Sequence, residues 1–176
     1  MPKAKKVAFL LADGFEDSEM KNPFDELVKN GHETVIIGLH AGEKLEGKRG
    51  TIAYQTHLSI AEANTGDYDA VVIPGGRSPG KLKDDERIQH FVQEANEKGI
   101  VIAAICHGPQ VLAEAGLLEG RTLTAYPELA LEIDRSGGRF LDQSVVVDQN
   151  WITSRTPEDE PDFIGEIVKK IGVNAW

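Results

Sequence analysis

Ile100-Val101-Ile102-Ala103-Ala104-Ile105-Cys106-His107-Gly108-Pro109-Gln110 is the stretch that decides how this chain folds. Its first six residues are apolar without polar alternation, the pattern of a strand covered on both faces of a parallel sheet. The apolar run stops at Cys106. Gly108 offers backbone freedom for a tight turn, Pro109 suits the first turn of a helix, and Gln110 to Ala115 has helical composition. Cys106 is therefore expected between strand and helix, the geometry of a nucleophile elbow with Cys in place of Ser. Free N–H groups and the positive end of the macrodipole at a helix start favour thiolate over thiol, so a lowered Cys106 pKa is expected. The alternative is a buried cysteine that only packs.

Working outward, Val7 to Leu11 and Ala70 to Ile73 are two further apolar runs of strand length, and Val35-Ile36-Ile37 is a third. The loops after Leu11 and Ile73, Ala12 to Glu19 and Pro74 to Gly80, should lie with the cysteine at the carboxyl edge of the sheet, where open α/β folds build sites. The adjacent glycines Gly75 and Gly76 let backbone N–H groups approach a ligand. A helix is expected from Asp17 or Ser18 to Asn30, with Pro23 giving a kink or a late start. Another is expected over Arg87 to Lys98, opened by Asp84-Asp85 and stopped by Gly99. Leu39 to His57, punctuated by Gly42, Gly47 and Gly50, suggests a small hairpin outside the main sheet. Beyond the elbow, Thr122 to Thr124 is a short strand, Leu129 to Ser136 a helix, and Val145 to Thr153 a hairpin with a polar turn. Thr156-Pro157 opens a last helix, with Phe163, Ile164, Ile167, Val168 and Ile171 at helical spacing. Strands alternating with helices predict an α/β fold with a mostly parallel central sheet covered on both faces.

The 176 residues fit one domain, 1–176, large enough to bury a core without disulfides. No apolar run approaches the length of a membrane span, and Val7 to Leu11 is too short for a signal-peptide core, so a cytoplasmic protein without a membrane partner is expected. One cysteine makes neither an internal disulfide nor a zinc cluster, and no metal site is expected. The net charge of −10 argues against stable binding to nucleic acid. Lys81, Lys83 and Arg87, interleaved with Asp84, Asp85 and Glu86, read as a solvated surface.

A cysteine nucleophile needs a base, and His107 adjoins it, although neighbours on a helix diverge by about a hundred degrees. Glu16 and Glu19 are carboxylates at one turn's spacing on the first loop; either, protonated, could donate to the sulfur, and an ionised one would disfavour the thiolate. His32, His40, His57 and His90 have no metal-ligand spacing and read as structural.

Ala103, Ile105-Cys106-His107-Gly108-Pro109-Gln110, Gly14-Phe15-Glu16-Asp17-Ser18-Glu19, Ile73-Pro74-Gly75-Gly76, Ala125-Tyr126-Pro127 and Thr153 to Pro157 together resemble the PfpI (ThiJ/PfpI) family of the class I glutamine amidotransferase-like superfamily. The resemblance implies a flavodoxin-like three-layer sandwich, assembly into homodimers or larger rings, and stress-protective activity on reactive carbonyls without a cofactor. Glyoxalase- or deglycase-like turnover, peptidase activity and redox-sensing or chaperone-like action are the roles it brings. It implies that Cys106 is the nucleophile with His107 beside it, that Glu19 hydrogen-bonds the cysteine, that Gly75 and Gly76 form an oxyanion site, and that Tyr126 stands near the pocket; Glu16, on the first loop, is a further candidate to bind substrate. One departure matters: peptidase members carry an acid after the Gly-Gly-Arg-x-Pro loop, where this chain has Gly80.

Overall fold

The computed structural model describes residues 4–172. In chain order these form β1 (Lys6–Leu10), α1 (Asp17–Lys29), β2 (Glu33–Gly38), β3 (Lys44–Glu46), β4 (Ala53–Gln55), β5 (Leu58–Ser59), β6 (Ala70–Ile73), α2 (Ser78–Leu82), α3 (Glu86–Glu97) and β7 (Val101–Ile105). There follow α4 (Pro109–Glu114), β8 (Thr122–Leu123), α5 (Ala130–Arg135), β9 (Arg139–Phe140), β10 (Val145–Asp148), β11 (Trp151–Ser154) and α6 (Glu160–Ile171). The main sheet has the order β10-β11-β7-β6-β1-β2-β5. Its pairings are parallel except β10 on β11, the expected hairpin.

Alternate strand residues feed two cores, which explains the unbroken apolar runs. Ala8, Leu10, Val71, Ile73, Ile102 and Ala104 pack with Leu82, Phe91, Val92 and Leu112 from α2, α3 and α4. Their neighbours Val7, Phe9, Val72, Ala103 and Ile105 pack with Met20 and Leu27 of α1 and Phe163, Ile167 and Ile171 of α6. Both layers place the helices where each strand's apolar side chains require cover. The chain runs from β1 to β2 and β5 on one side and then crosses back to β6 on the other side of β1, so the crevice beyond the carboxyl ends of β1 and β6 is a topological switch point. Among the described residues no helix is long and apolar enough to cross a membrane.

Several local expectations change. α1 starts at Asp17 despite Pro23, because Asp17 is pinned from outside the helix by the backbone N–H groups of Arg49 and Thr51 at 2.9 Å each and the Thr51 hydroxyl at 2.7 Å. The segment after Pro74 is not all loop: α2 begins at Ser78, whose hydroxyl accepts the Ala12 N–H at 2.8 Å and ties the β1 and β6 loops together. The short strand at Thr122 lies outside the main sheet and pairs with β9. The hairpin β3–β4 is present as expected.

The elbow also works differently from its composition. Gly108 has ordinary helical dihedrals, φ −51° and ψ −42°, whereas Cys106 itself takes the left-handed φ of 62°. A β-carbon at Gly108 would meet the Ile73 carbonyl oxygen and lie 3.0 Å from the Ile105 nitrogen and oxygen, all main-chain atoms of central strands. Gly108 is thus there for space. Gly108→Ala is expected to lower stability by about 3 kcal/mol through this overpacking, read from urea unfolding; an unchanged midpoint would show that α4 can lift away from β6.

Candidate active site

Cys106 follows the last residue of β7, and its left-handed backbone turns the chain abruptly into α4. Strain of this kind in a non-glycine residue persists only where the surroundings enforce it. Here they do: the Cys106 N–H donates to the Ser154 carbonyl at 3.0 Å, and its own carbonyl accepts the Tyr126 N–H at 2.9 Å. The sulfur lies at the base of a cleft of about 780 Å³ and is mostly buried, the residue being 8% exposed.

His107 does face it. Nδ1 lies 3.3 Å from Cys106 Sγ, and the ring stacks on Tyr126 with centroids 4.7 Å apart and planes at 24°. Tyr126 therefore supports the elbow by its backbone and orients the imidazole by its ring. Burial, reinforced by the Lys48 charge and opposed by Glu128 and Glu132, pushes the His107 pKa below its usual value, so at neutral pH the ring is a proton acceptor.

The two carboxylates of the first loop separate into different tasks. Glu19 is fully buried and accepts the Gly75 N–H on Oε1 at 2.9 Å, while Oε2 has no hydrogen-bond partner among the described residues. Burial, outweighing the Gly75 hydrogen bond and aided by the charges of Glu16 and Glu160, raises its pKa to about 8. Glu19 is thus protonated at neutral pH, and its charge reaches Cys106 only when it ionises. Glu16 instead holds cations: Arg49 Nε and Nη2 donate to its two oxygens at 2.6 and 3.0 Å, and Lys48 Nζ lies 3.3 Å away. Burial alone would raise the Glu16 pKa, but these two partners hold it below the ordinary range.

Three expectations are corrected. Among the described residues Glu19 makes no hydrogen bond to Cys106, because its Oε1 is taken by the Gly75 N–H and its Oε2 has no partner. Gly75 is not a free oxyanion donor, since its N–H is spent on Glu19; it is glycine because a β-carbon would lie 2.5 Å from Glu19 Oε1 and 2.7 Å from Cys106 Cβ. The donors that do face the sulfur are the N–H groups of Gly76, at φ 81°, and His107. The Cys106 thiol is also pushed up, to about 12, first by burial and then by the Glu19 charge, against these two N–H groups and Lys48. The expected lowering assumed a solvated cysteine at a helix end; here the sulfur is largely buried, and α4 is only six residues long. Of these contributions the Glu19 charge vanishes once that acid is protonated, and the burial remains.

The cleft brings together Cys106, His107, Glu16, Gly76 and Tyr126. It also includes Lys48, Arg49 and Arg77, which residue-type reasoning missed. Lys48-Arg49 sits between Gly47 and Gly50 at the hairpin turn; the dipeptide was visible, but nothing in the sequence placed the turn over the cysteine. Of the other histidines, His32 bridges the Lys5 N–H and the Gly172 carbonyl and His57 accepts the Ile36 N–H, both structural uses. Among the described residues no three His, Cys, Asp or Glu side chains gather as a metal site.

The sequence profile of the DJ-1/PfpI family matches residues 5–170. The chain belongs to the DJ-1/PfpI family. It is 41% identical over 170 residues to protein/nucleic acid deglycase 2 of Escherichia coli K12, covering 96% of this chain and 99% of that one. Among solved structures it resembles the crystal structure of a two-domain protein of Anabaena variabilis with DJ-1/ThiJ/PfpI-like and ferritin-like domains, at TM-score 0.95 and 41% identity. That match covers 97% of this chain and 49% of the longer protein. Drosophila melanogaster DJ-1beta matches at TM-score 0.89 and 29% identity, over 97% of this chain and 91% of its own. The DJ-1/PfpI assignment agrees with the flavodoxin-like α/β fold and with the cysteine elbow that the sequence predicts.

Proposed function

We propose that this chain is a deglycase- or glyoxalase-like enzyme that converts α-oxoaldehydes, free or as adducts, to 2-hydroxy acids through covalent chemistry at Cys106. The contact of 3.3 Å between Cys106 Sγ and neutral His107 Nδ1, at the base of an open cleft, carries this reading. A buried thiol with a raised pKa is a poor nucleophile until a base takes its proton, and His107 is within reach to do so. The E. coli relative's name, protein/nucleic acid deglycase 2, supports the deglycase-like part of this reading.

The steps follow from the groups present. As Cys106 Sγ bonds to the aldehyde carbon of methylglyoxal, its proton passes to His107, and the carbonyl oxygen becomes an oxyanion beside the N–H groups of Gly76 and His107. Such donors contribute a few kcal/mol each, on the order of 3, where water is excluded. Protonation of the oxyanion gives a hemithioacetal, whose carbon-bound hydrogen is acidified by the adjacent ketone. His107 removes that proton and returns one to the neighbouring carbon, leaving a thioester on Cys106 and a new hydroxyl. Water then cleaves the thioester to lactate and restores the thiol.

Peptide hydrolysis fits less well. It requires an oriented imidazolium to protonate the leaving amine, and the position where peptidase members carry an acid is exposed Gly80, with open space where a β-carbon would be. Wild-type protein in metal-free, glutathione-free buffer is expected to form lactate from methylglyoxal and to leave casein intact. Isolated thiol and amine adducts, supplied without free dicarbonyl, distinguish direct deglycation from scavenging. Efficient casein digestion without lactate formation would refute the proposal.

A further inference from the structure

We propose that Lys48, Arg49 and Arg77 make the rim of the Cys106 cleft an anion-binding subsite, so that the preferred carbonyl substrates carry a phosphate or another anionic group. This rests on the carbonyl reading above and names its substrate class. Three cations from two separate loops line one cleft in a chain of net charge −10, so their clustering does not follow from composition.

Their pairing also differs from that of the next cations along the chain. Lys81, Lys83 and Arg87 each have a carboxylate of their own, Asp13, Glu114 and Asp85. At the cleft, Lys48 and Arg49 share the single carboxylate of Glu16, and the Arg77 guanidinium makes no ion pair or side-chain hydrogen bond with any described residue. Glu158 is the other carboxylate lining the cleft, and the cations outnumber the two acids.

The placement is built in. Asp17, buried, takes three hydrogen bonds from Arg49 and Thr51 at the hairpin turn, and the Lys48 N–H donates to the Phe15 carbonyl at 2.8 Å. Asp17 stays ionised because these donors outweigh its burial. The Arg77 N–H donates to the Gly14 carbonyl at 2.8 Å, fixing the second loop against the first. Guanidinium and ammonium groups held at a cleft mouth suit a phosphate monoester or a carboxylate, by charge and by forked hydrogen bonding. A cleft of about 780 Å³ leaves space beyond a three-carbon dicarbonyl for that group.

The test has two arms. In the first, Cys106 is alkylated with neutral iodoacetamide in increasing inorganic phosphate. Phosphate is expected to slow wild-type alkylation saturably, to lose this effect in the Lys48→Met/Arg77→Met variant, and to keep it in Arg77→Lys and in the outside control Lys81→Ala. Acetate at matched ionic strength identifies a preference for carboxylates if it protects as well. In the second arm, kcat/KM for hydroxypyruvaldehyde phosphate is expected to exceed that for methylglyoxal by about tenfold, and the ratio to fall toward one in the double variant and at high salt. Absence of phosphate protection in wild type, or its persistence in the double variant, overturns the subsite. If neither aldehyde is consumed, the carbonyl reading fails while the alkylation arm still decides the rim.

Discussion

Glu19→Gln is expected to raise the stability of the folded protein at neutral pH while leaving it almost unchanged near pH 4. The reason is proton linkage. Folding lifts the Glu19 pKa from 4.5 to about 8, so between these values the folded chain holds a proton that the unfolded chain has released. Stability then falls as pH rises through that window, and is constant below 4.5 and above about 8. Glutamine has no proton to lose and escapes the penalty. Its carbonyl can still accept the Gly75 N–H, and its amide takes the place of Oε2, which has no partner among the described residues. At pH 7 the gain is on the order of 2 to 3 kcal/mol, the low end allowing for one extra amide N–H to satisfy. This is a rise in Tm of roughly 5 °C or more for a chain of this size. Calorimetry across pH 4 to 8 reads it directly, and a difference between the two proteins that does not grow with pH would mean that Glu19 is ionised in the folded state.

Much of the architecture was legible because it depends on local pattern. The unbroken apolar runs at Val7, Ala70 and Ile100 have the length and composition of strands covered on both faces, and β1, β6 and β7 are the centre of the sheet. The Cys106-His107-Gly108-Pro109 junction, likewise, contains its own turn and helix start. What the sequence hid depends on distant neighbours. The space taken by Ile73 next to Gly108, and the use of the Gly75 N–H by Glu19, are properties of packed loops. The direction of the Cys106 shift depends on how deeply the thiol is buried, which the order of residues does not state. Glu16 and Glu19, equivalent on paper, part because α1 turns one toward the Lys48-Arg49 hairpin and buries the other beneath Gly75.

Loss of the Cys106 sulfur is expected to be the largest single effect on turnover. The proposed addition and thioester hydrolysis form and break a bond at that atom, and the proton shift between them acts on the adduct it holds, so Cys106→Ala should lower lactate formation by about a thousandfold or more, to what the N–H donors and His107 achieve alone. The alanine fits the space and keeps the same backbone, including the φ of 62° at this position, so folding is not expected to confound the result. The chain has one cysteine, which permits a stricter measurement on the wild-type protein itself. Cys106 is titrated with sub-stoichiometric iodoacetamide, the labelled fraction is counted by intact-protein mass, and residual lactate formation from methylglyoxal is measured in each sample. The account predicts that activity falls in direct proportion to labelling and reaches zero at full modification; fully alkylated protein that still makes lactate at the unmodified rate would contradict it.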